Sequence, residues 1–122
     1  MSKKILIVED HKETAEMITQ LLSMDGYYSV IAPDGKSGLE KAKSENPDLI
    51  LLDVTLPGID GLDVCSRLRA DTATKDIPIV MVSLRSTEED IRLGLLRGAN
   101  AYVPKPFDPF NLLTVVKKYL GS

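Results

Sequence analysis

Apolar residues in this chain fall into short runs, unbroken except for Ser29 in the second, separated by stretches in which they recur every three or four positions. The runs cover 5–8, 28–32, 49–52, 79–82 and 101–103. The third, Leu-Ile-Leu-Leu, shows no polar alternation, as expected of a strand covered on both faces. The second is more amphipathic and is placed nearer a sheet edge. Helical spacing fills the intervals. Ala15, Ile18, Leu21 and Leu22 mark a helix over 14–24, closed by Gly26 as a C-cap. After the Pro33-Asp34-Gly35 turn, 36–45 reads as a polar helix with only Leu39 and Ala42 to bury, so it is expected to be weakly held. A helix over 61–70 buries Leu62, Val64 or Cys65, and Leu68, and a polar connection follows over 71–76. The helix over 87–97 has an acidic first turn, Glu88-Glu89-Asp90, and is capped by Gly98. The last helix spans 109–120, with Leu112, Val115, Val116 and Tyr119 on its apolar side.

Five strands alternating with five helices imply an α/β fold, a parallel sheet with right-handed crossovers and helices on both faces. The 122 residues suit one domain, 1–122, with no repeat or linker. A net charge of -3 disfavours nucleic acid or an anionic membrane as a partner. The single Cys65 excludes an intrachain disulfide and a cysteine-rich zinc site. No signal-peptide or membrane-spanning pattern occurs, so the expected location is cytoplasmic, without membrane insertion.

Chemistry collects at the C-terminal ends of the strands. Asp53 follows the third run directly, and the Leu-Pro-Gly segment after it cannot continue a central strand. On that segment alone, a turn-capping Asp and a functional Asp are equally good readings. The other strand ends decide. The first gives Glu9 and Asp10, the fourth Ser83, and the fifth leads to Lys105 between two stiffening prolines. Crowded carboxylates repel and raise one another's pKa unless a cation intervenes. Mg²⁺, which takes oxygen ligands and keeps several waters, suits Glu9, Asp10 and Asp53, together with a backbone carbonyl from the loop after Asp53. His11, beside the acids, is a further candidate for the cation set, but the expected role is an exposed residue at a helix start. An aspartate also serves as a nucleophile toward phosphoryl groups, with Lys105 supplying charge and Ser83 a hydroxyl.

In this ordered set the chain resembles the receiver domains of two-component response regulators, from Lys4 to about Leu120. The resemblance rests on Ile-Leu-Ile-Val-Glu-Asp at 5–10, Pro-Asp-Leu-Ile-Leu-Leu-Asp at 47–53 and Leu-Pro-Gly-Ile-Asp-Gly at 56–61. It is completed by Ile-Pro-Ile-Val-Met-Val-Ser at 77–83 and Gly-Ala-Asn-Ala-Tyr-Val-Pro-Lys-Pro-Phe at 98–107. It implies a doubly wound, flavodoxin-like receiver fold with strand order 2-1-3-4-5. It also implies Asp53 as phosphoacceptor, Glu9, Asp10 and Asp53 around Mg²⁺, and Thr55 offering its backbone carbonyl to the metal. Ser83 would be the switch hydroxyl, Lys105 the phosphate-binding lysine and Tyr102 the switch aromatic, swinging inward on phosphorylation. The implied partners are a sensor histidine kinase or phosphotransfer protein and a downstream effector protein. The only catalysis expected is Mg²⁺-dependent self-phosphorylation and self-dephosphorylation.

Two positions depart from the family pattern. Leu84 stands where a small residue is usual, and Arg85 occupies a position that influences how long the phosphoryl group survives. Its guanidinium has Asp53, the phosphate or solvent as possible destinations. On the fourth helix, Ile91 and Leu95 are candidates for an apolar partner patch, with Leu95 assigned to the core. A phosphatase-like hydrolase would want a second carboxylate where Thr55 stands. A nucleotide- or flavin-binding module would want a Gly-rich or hydroxyl-rich loop in place of Glu9-Asp10-His11-Lys12-Glu13. A phosphorylation-independent docking module is the third alternative. With no output segment after Leu120, the expectation is a stand-alone, chemotaxis-regulator-like receiver, the alternative being the N-terminal receiver of a longer regulator.

Overall fold

Successive residues of a strand face opposite sides of the sheet, and here both sides are covered, which explains why the runs lack alternation. In a computed structural model describing residues 2–121, β1 (Lys4–Val8), β2 (Tyr28–Ala32), β3 (Leu49–Leu52), β4 (Ile79–Ser83) and β5 (Ala101–Pro104) form one sheet, ordered β2-β1-β3-β4-β5. Every pairing is parallel. Met1 and Ser122, the outermost positions of the domain read from the sequence, lie outside the described residues. Ile5, Ile7, Leu49, Leu51, Val80 and Val82 pack on one side against α1 (Lys12–Met24) and α5 (Pro109–Leu120). Leu6, Val8, Ile50, Leu52, Ile79 and Met81 pack on the other, with α2 (Gly35–Ser44) and α3 (Gly61–Ala70) contributing Ala42, Val64, Cys65 and Leu68. α4 (Glu88–Leu96) lies beyond α3 on that second side, and no helix of the described residues is long and apolar enough to cross a membrane.

The structure corrects several expectations drawn from the sequence. α1 starts at Lys12, two residues early, with His11 at its N-cap position. Asp34 is the N-cap of α2 rather than a plain turn residue, and it forms a capping box with Ser37. Gly35 and Gly38 are buried beside Ala42, so α2 is held more closely than its few apolar side chains predict. A Cβ at Gly38 would meet Val8, and one at Gly35 would meet the Ile59 carbonyl at 2.7 Å. α4 is shorter than the predicted 87–97, because Thr87 and Arg97 are its caps. Leu95 is not core: it is 47% exposed and Leu96 is 68% exposed, whereas the buried residue of α4 is Gly94. The reason is Tyr102, whose ring lies across Gly94 and takes the space a larger side chain would fill.

Other expectations hold. Gly26 follows the α1 cap residue Asp25 with φ +82°, a conformation in which glycine is least strained. β2 is an edge strand, and Lys41 Nζ donates to the Ile31 carbonyl on the side of β2 away from β1, at 2.5 Å.

Candidate functional site

The chain leaves β1 toward β2 on one side and returns to β3 on the other, so the order reverses between these adjacent strands. Such a reversal opens a crevice at their C-terminal ends. Backbone bonds fix the residues there: Asp53 N–H donates to the Val8 carbonyl at 3.0 Å, Glu9 N–H to Ala32 at 3.0 Å, and Lys105 N–H to Ser83 at 2.8 Å. The ends of β1, β3, β4 and β5 therefore meet at one rim.

Lys105 Nζ stands 2.5 Å from Glu9 Oε1 and 3.0 Å from Asp53 Oδ2. Both carboxylates are buried, at 3% and 6% exposure, while Asp10 beside them is open to solvent. Asp53 Oδ1 accepts the Thr55 N–H at 3.1 Å, and Glu9 Oε2 accepts the His11 N–H at 3.1 Å. Burial raises the Glu9 carboxyl above its ordinary range, although the bonds from Lys105 and His11 oppose it. Burial would depress Lys105, but its bonds to Glu9 and Asp53 and their negative charges outweigh that and hold the ammonium above the usual lysine value. One ammonium thus pairs with two buried carboxyl groups, with the exposed carboxyl of Asp10 next to Glu9 in the chain. This oxygen-rich, under-neutralised set fits a hard divalent cation such as Mg²⁺.

Ser83 is fully buried, and its Oγ accepts the Arg85 N–H at 3.2 Å. The Arg85 carbonyl in turn accepts the Tyr102 hydroxyl, so Tyr102 is already half-buried and tethered. The Arg85 guanidinium reaches neither Asp53 nor open solvent alone: it pairs with Asp90 at 3.6 Å. Leu84 is 72% exposed and lines, with Asp10, His11, Asp53, Thr55 and Lys105, a cleft of about 120 Å³.

The expected site residues come together at this rim, with Tyr102 one step removed through Arg85. His11 stands exposed at the start of α1, as expected, and among the described residues Glu9, Asp10 and His11 offer ligand atoms all within 4.8 Å of one another. Sequence reasoning missed one residue. Arg69 had no signal at all. It donates to the carbonyls of Gly98 (2.9 Å), Ile77 (2.7 Å) and Lys75 (3.0 Å) and to Asn100 Oδ1 (2.8 Å), tying the end of α4 to the start of β4.

A family model for the response regulator receiver domain matches residues 5–117. The DNA-binding response regulator MtrA of Mycolicibacterium smegmatis is 42% identical over 120 residues, which cover 98% of this chain and 51% of MtrA. The chain spans about half the length of the curated relatives it matches. Chemotaxis protein CheY4 of Vibrio cholerae superposes with a TM-score of 0.91 at 29% identity, covering 98% of this chain and 99% of that one. The receiver domain of sensor histidine kinase PA1611 from Pseudomonas aeruginosa, with a magnesium ion coordinated in its active site cleft, gives 0.91 at 29% identity and covers 100% of both chains.

Proposed function

The chain belongs to the response regulator receiver domain family, and from this premise we propose that Asp53 is the phosphoacceptor of a two-component phosphorelay. The observation that carries the reading is Lys105 Nζ, held 2.5 Å from Glu9 and 3.0 Å from Asp53 and joining the ends of three strands. A carboxylate oxygen of Asp53 attacks the phosphorus of a phosphohistidine on a sensor kinase or phosphotransfer protein. The O–P bond forms as the N–P bond breaks, and the electron pair stays on the donor imidazole. Lys105 turns from the carboxylates to the new phosphoryl oxygens. Glu9, Asp10, Asp53 and the Thr55 carbonyl would hold Mg²⁺, which when bound neutralises charge on the transferring group. Small phosphodonors reach the same carboxylate, and water attacking the phosphorus breaks the Asp53 O–P bond, returning the carboxylate and releasing inorganic phosphate, with Leu84 narrowing its approach.

The cleft shares His11, Leu84 and Lys105 with an apolar groove of about 500 Å³ that also includes Met17, Pro106 and Phe107. A donor delivering phosphohistidine to Asp53 covers this groove. Output follows from Ser83. When its Oγ turns to a phosphoryl oxygen it releases the Arg85 N–H, and the same residue's carbonyl holds Tyr102. Movement of that one residue therefore reaches the α4–β5 surface, where Leu95 and Leu96 stand exposed to an effector protein. A second reading, a receiver within a longer regulator carrying a DNA-binding or enzymatic output, is favoured by relatives about twice the chain's length.

Incubation with Mg²⁺ and acetyl phosphate, read by intact mass, tests the acceptor. Wild type is expected to gain one phosphoryl group and Asp53→Ala none; an unmodified wild type, or a modified variant, overturns the assignment.

A further inference from the structure

Arg85 is held through its backbone by two partners and through its side chain by a third. Its N–H donates to Ser83 Oγ at 3.2 Å, and its carbonyl accepts the Tyr102 hydroxyl. The guanidinium Nη2 stands 3.6 Å from Asp90 Oδ1. Asp90 divides its carboxylate between two neighbours. Oδ2 accepts the Thr87 N–H at 3.1 Å and the Thr87 hydroxyl at 2.9 Å, which leaves Oδ1 to the guanidinium. The bonds from Thr87, with Arg85 adding less, hold the Asp90 carboxyl below its ordinary range, so it is ionised at neutral pH. The Arg85 pair itself is loose: it lies beyond hydrogen-bond distance, and the Arg85 side chain is 50% exposed.

Leu84, one residue before Arg85, lines the Asp53 cleft, whereas Asp90 lies in the first turn of α4. The Tyr102 phenol senses both acids. Burial most of all raises it, and the charges of Asp90 and Asp53 add to that while Arg85 opposes them. One guanidinium on a long flexible stem thus has two acidic destinations. In the unmodified site both Asp53 oxygens are engaged, Oδ2 by Lys105 and Oδ1 by the Thr55 N–H, and Asp90 keeps Arg85. A phosphoryl group brings a charge of about −1.5 to −2 and strong acceptor oxygens, more than a single carboxylate in a half-exposed pair offers.

We propose that Asp90 is a positioning residue of the receiver site: it competes with the phosphoryl group on Asp53 for the Arg85 guanidinium, so that phosphorylation draws Arg85 off the first turn of α4. The inference rests on Asp53 being the phosphoacceptor. Ser83 then acts on Arg85 through its backbone and the phosphoryl group through its side chain, and both loosen the same loop from α4.

Beryllofluoride, a phosphoryl mimic, is titrated with Mg²⁺ into wild type, Asp90→Asn, Arg85→Met and the double variant. NMR follows the backbone amides and the Arg85 guanidinium, whose signals are identified by their loss in Arg85→Met. Asn keeps a side-chain oxygen for Thr87, and Met keeps the aliphatic stem. In wild type the guanidinium signals are expected to shift at saturation. Asp90→Asn is expected to lower the midpoint concentration about threefold, Arg85→Met to raise it, and the double variant to match Arg85→Met. A merely structural role in the cap would move the midpoint equally with and without Arg85, and that result overturns the competition. So do guanidinium signals that ignore beryllofluoride, or an Asp90→Asn midpoint no lower than that of wild type. Wild-type amides around Asp53 that ignore beryllofluoride overturn the acceptor assignment instead, a separate and separately visible failure.

Discussion

Asp10 is the exposed member of an acidic trio whose two buried members, Glu9 and Asp53, share the ammonium of Lys105. Its repulsion with buried Glu9 and Asp53 is uncompensated until a cation arrives. Asp10→Asn is therefore expected to raise the melting temperature in metal-free buffer and to abolish the further rise that Mg²⁺ gives wild type, since binding to the folded state alone stabilises it. Thermal unfolding with and without Mg²⁺ checks both; an Mg²⁺-dependent rise surviving in the variant would refute the ligand role. Much of this site was legible because each residue sits directly after an apolar run. Asp53, Glu9, Asp10 and Ser83 needed only strand ends and a parallel sheet to converge. The tether from Tyr102 to Arg85 was not legible, since it depends on where a loop carbonyl points.

α4 is the least embedded helix, burying only Gly94, and its two ends are held differently. The N-terminal end has its own capping box, Thr87 with Asp90, and the Arg85–Asp90 pair. The C-terminal end is fastened to α3. Arg97 Nη1 reaches Asp63 at 3.3 Å and Ser66 at 3.1 Å, and the Arg69 guanidinium clamps the Gly98 carbonyl at 2.9 Å. Any displacement passed from Ser83 therefore tilts α4 about its far end. Arg69→Met keeps the aliphatic stem but removes the donor from three carbonyls and one of the two donors to Asn100 Oδ1, which keeps the Ile79 N–H. A loss of at least about 2 kcal/mol in urea unfolding is expected, because bonds to charged groups contribute more than neutral ones. Amide exchange at the α4–β5 turn should accelerate more than in β1, and uniform acceleration would argue against the clamp. Periodicity placed α4 correctly but misassigned Leu95. The 3.6-residue pattern marks which face is inward only when a large side chain is available to fill it, and here Tyr102 fills the space over Gly94.

Across the whole molecule, the parallel sheet and the two-sided core were readable from the apolar runs, because strands buried on both faces leave a strong compositional trace, whereas the strand order came only from the resemblance to receiver domains. Close approaches of backbone to backbone left a weaker one. At Gly61 an added Cβ would collide with the Asp53 carbonyl and lie 2.6 Å from Val54 Cα, so α3 rests directly on the segment that carries Asp53. Gly61→Ala is expected to cost about 2 kcal/mol or more, as overpacking against rigid backbone does, and to lower the phosphorylation yield at Asp53 even in the folded fraction. Denaturant unfolding paired with intact mass measures both, and full yield in the folded variant would show that the acceptor tolerates a displaced α3.

The lysine on the outer margin of β2 has a consequence for the company this domain keeps. A terminal strand with free backbone is a template on which an incoming chain can lengthen the sheet. Lys41 already occupies the Ile31 carbonyl at that margin. A newcomer would have to evict a charge and then cover it, a cost that weighs against lengthening the sheet at this margin.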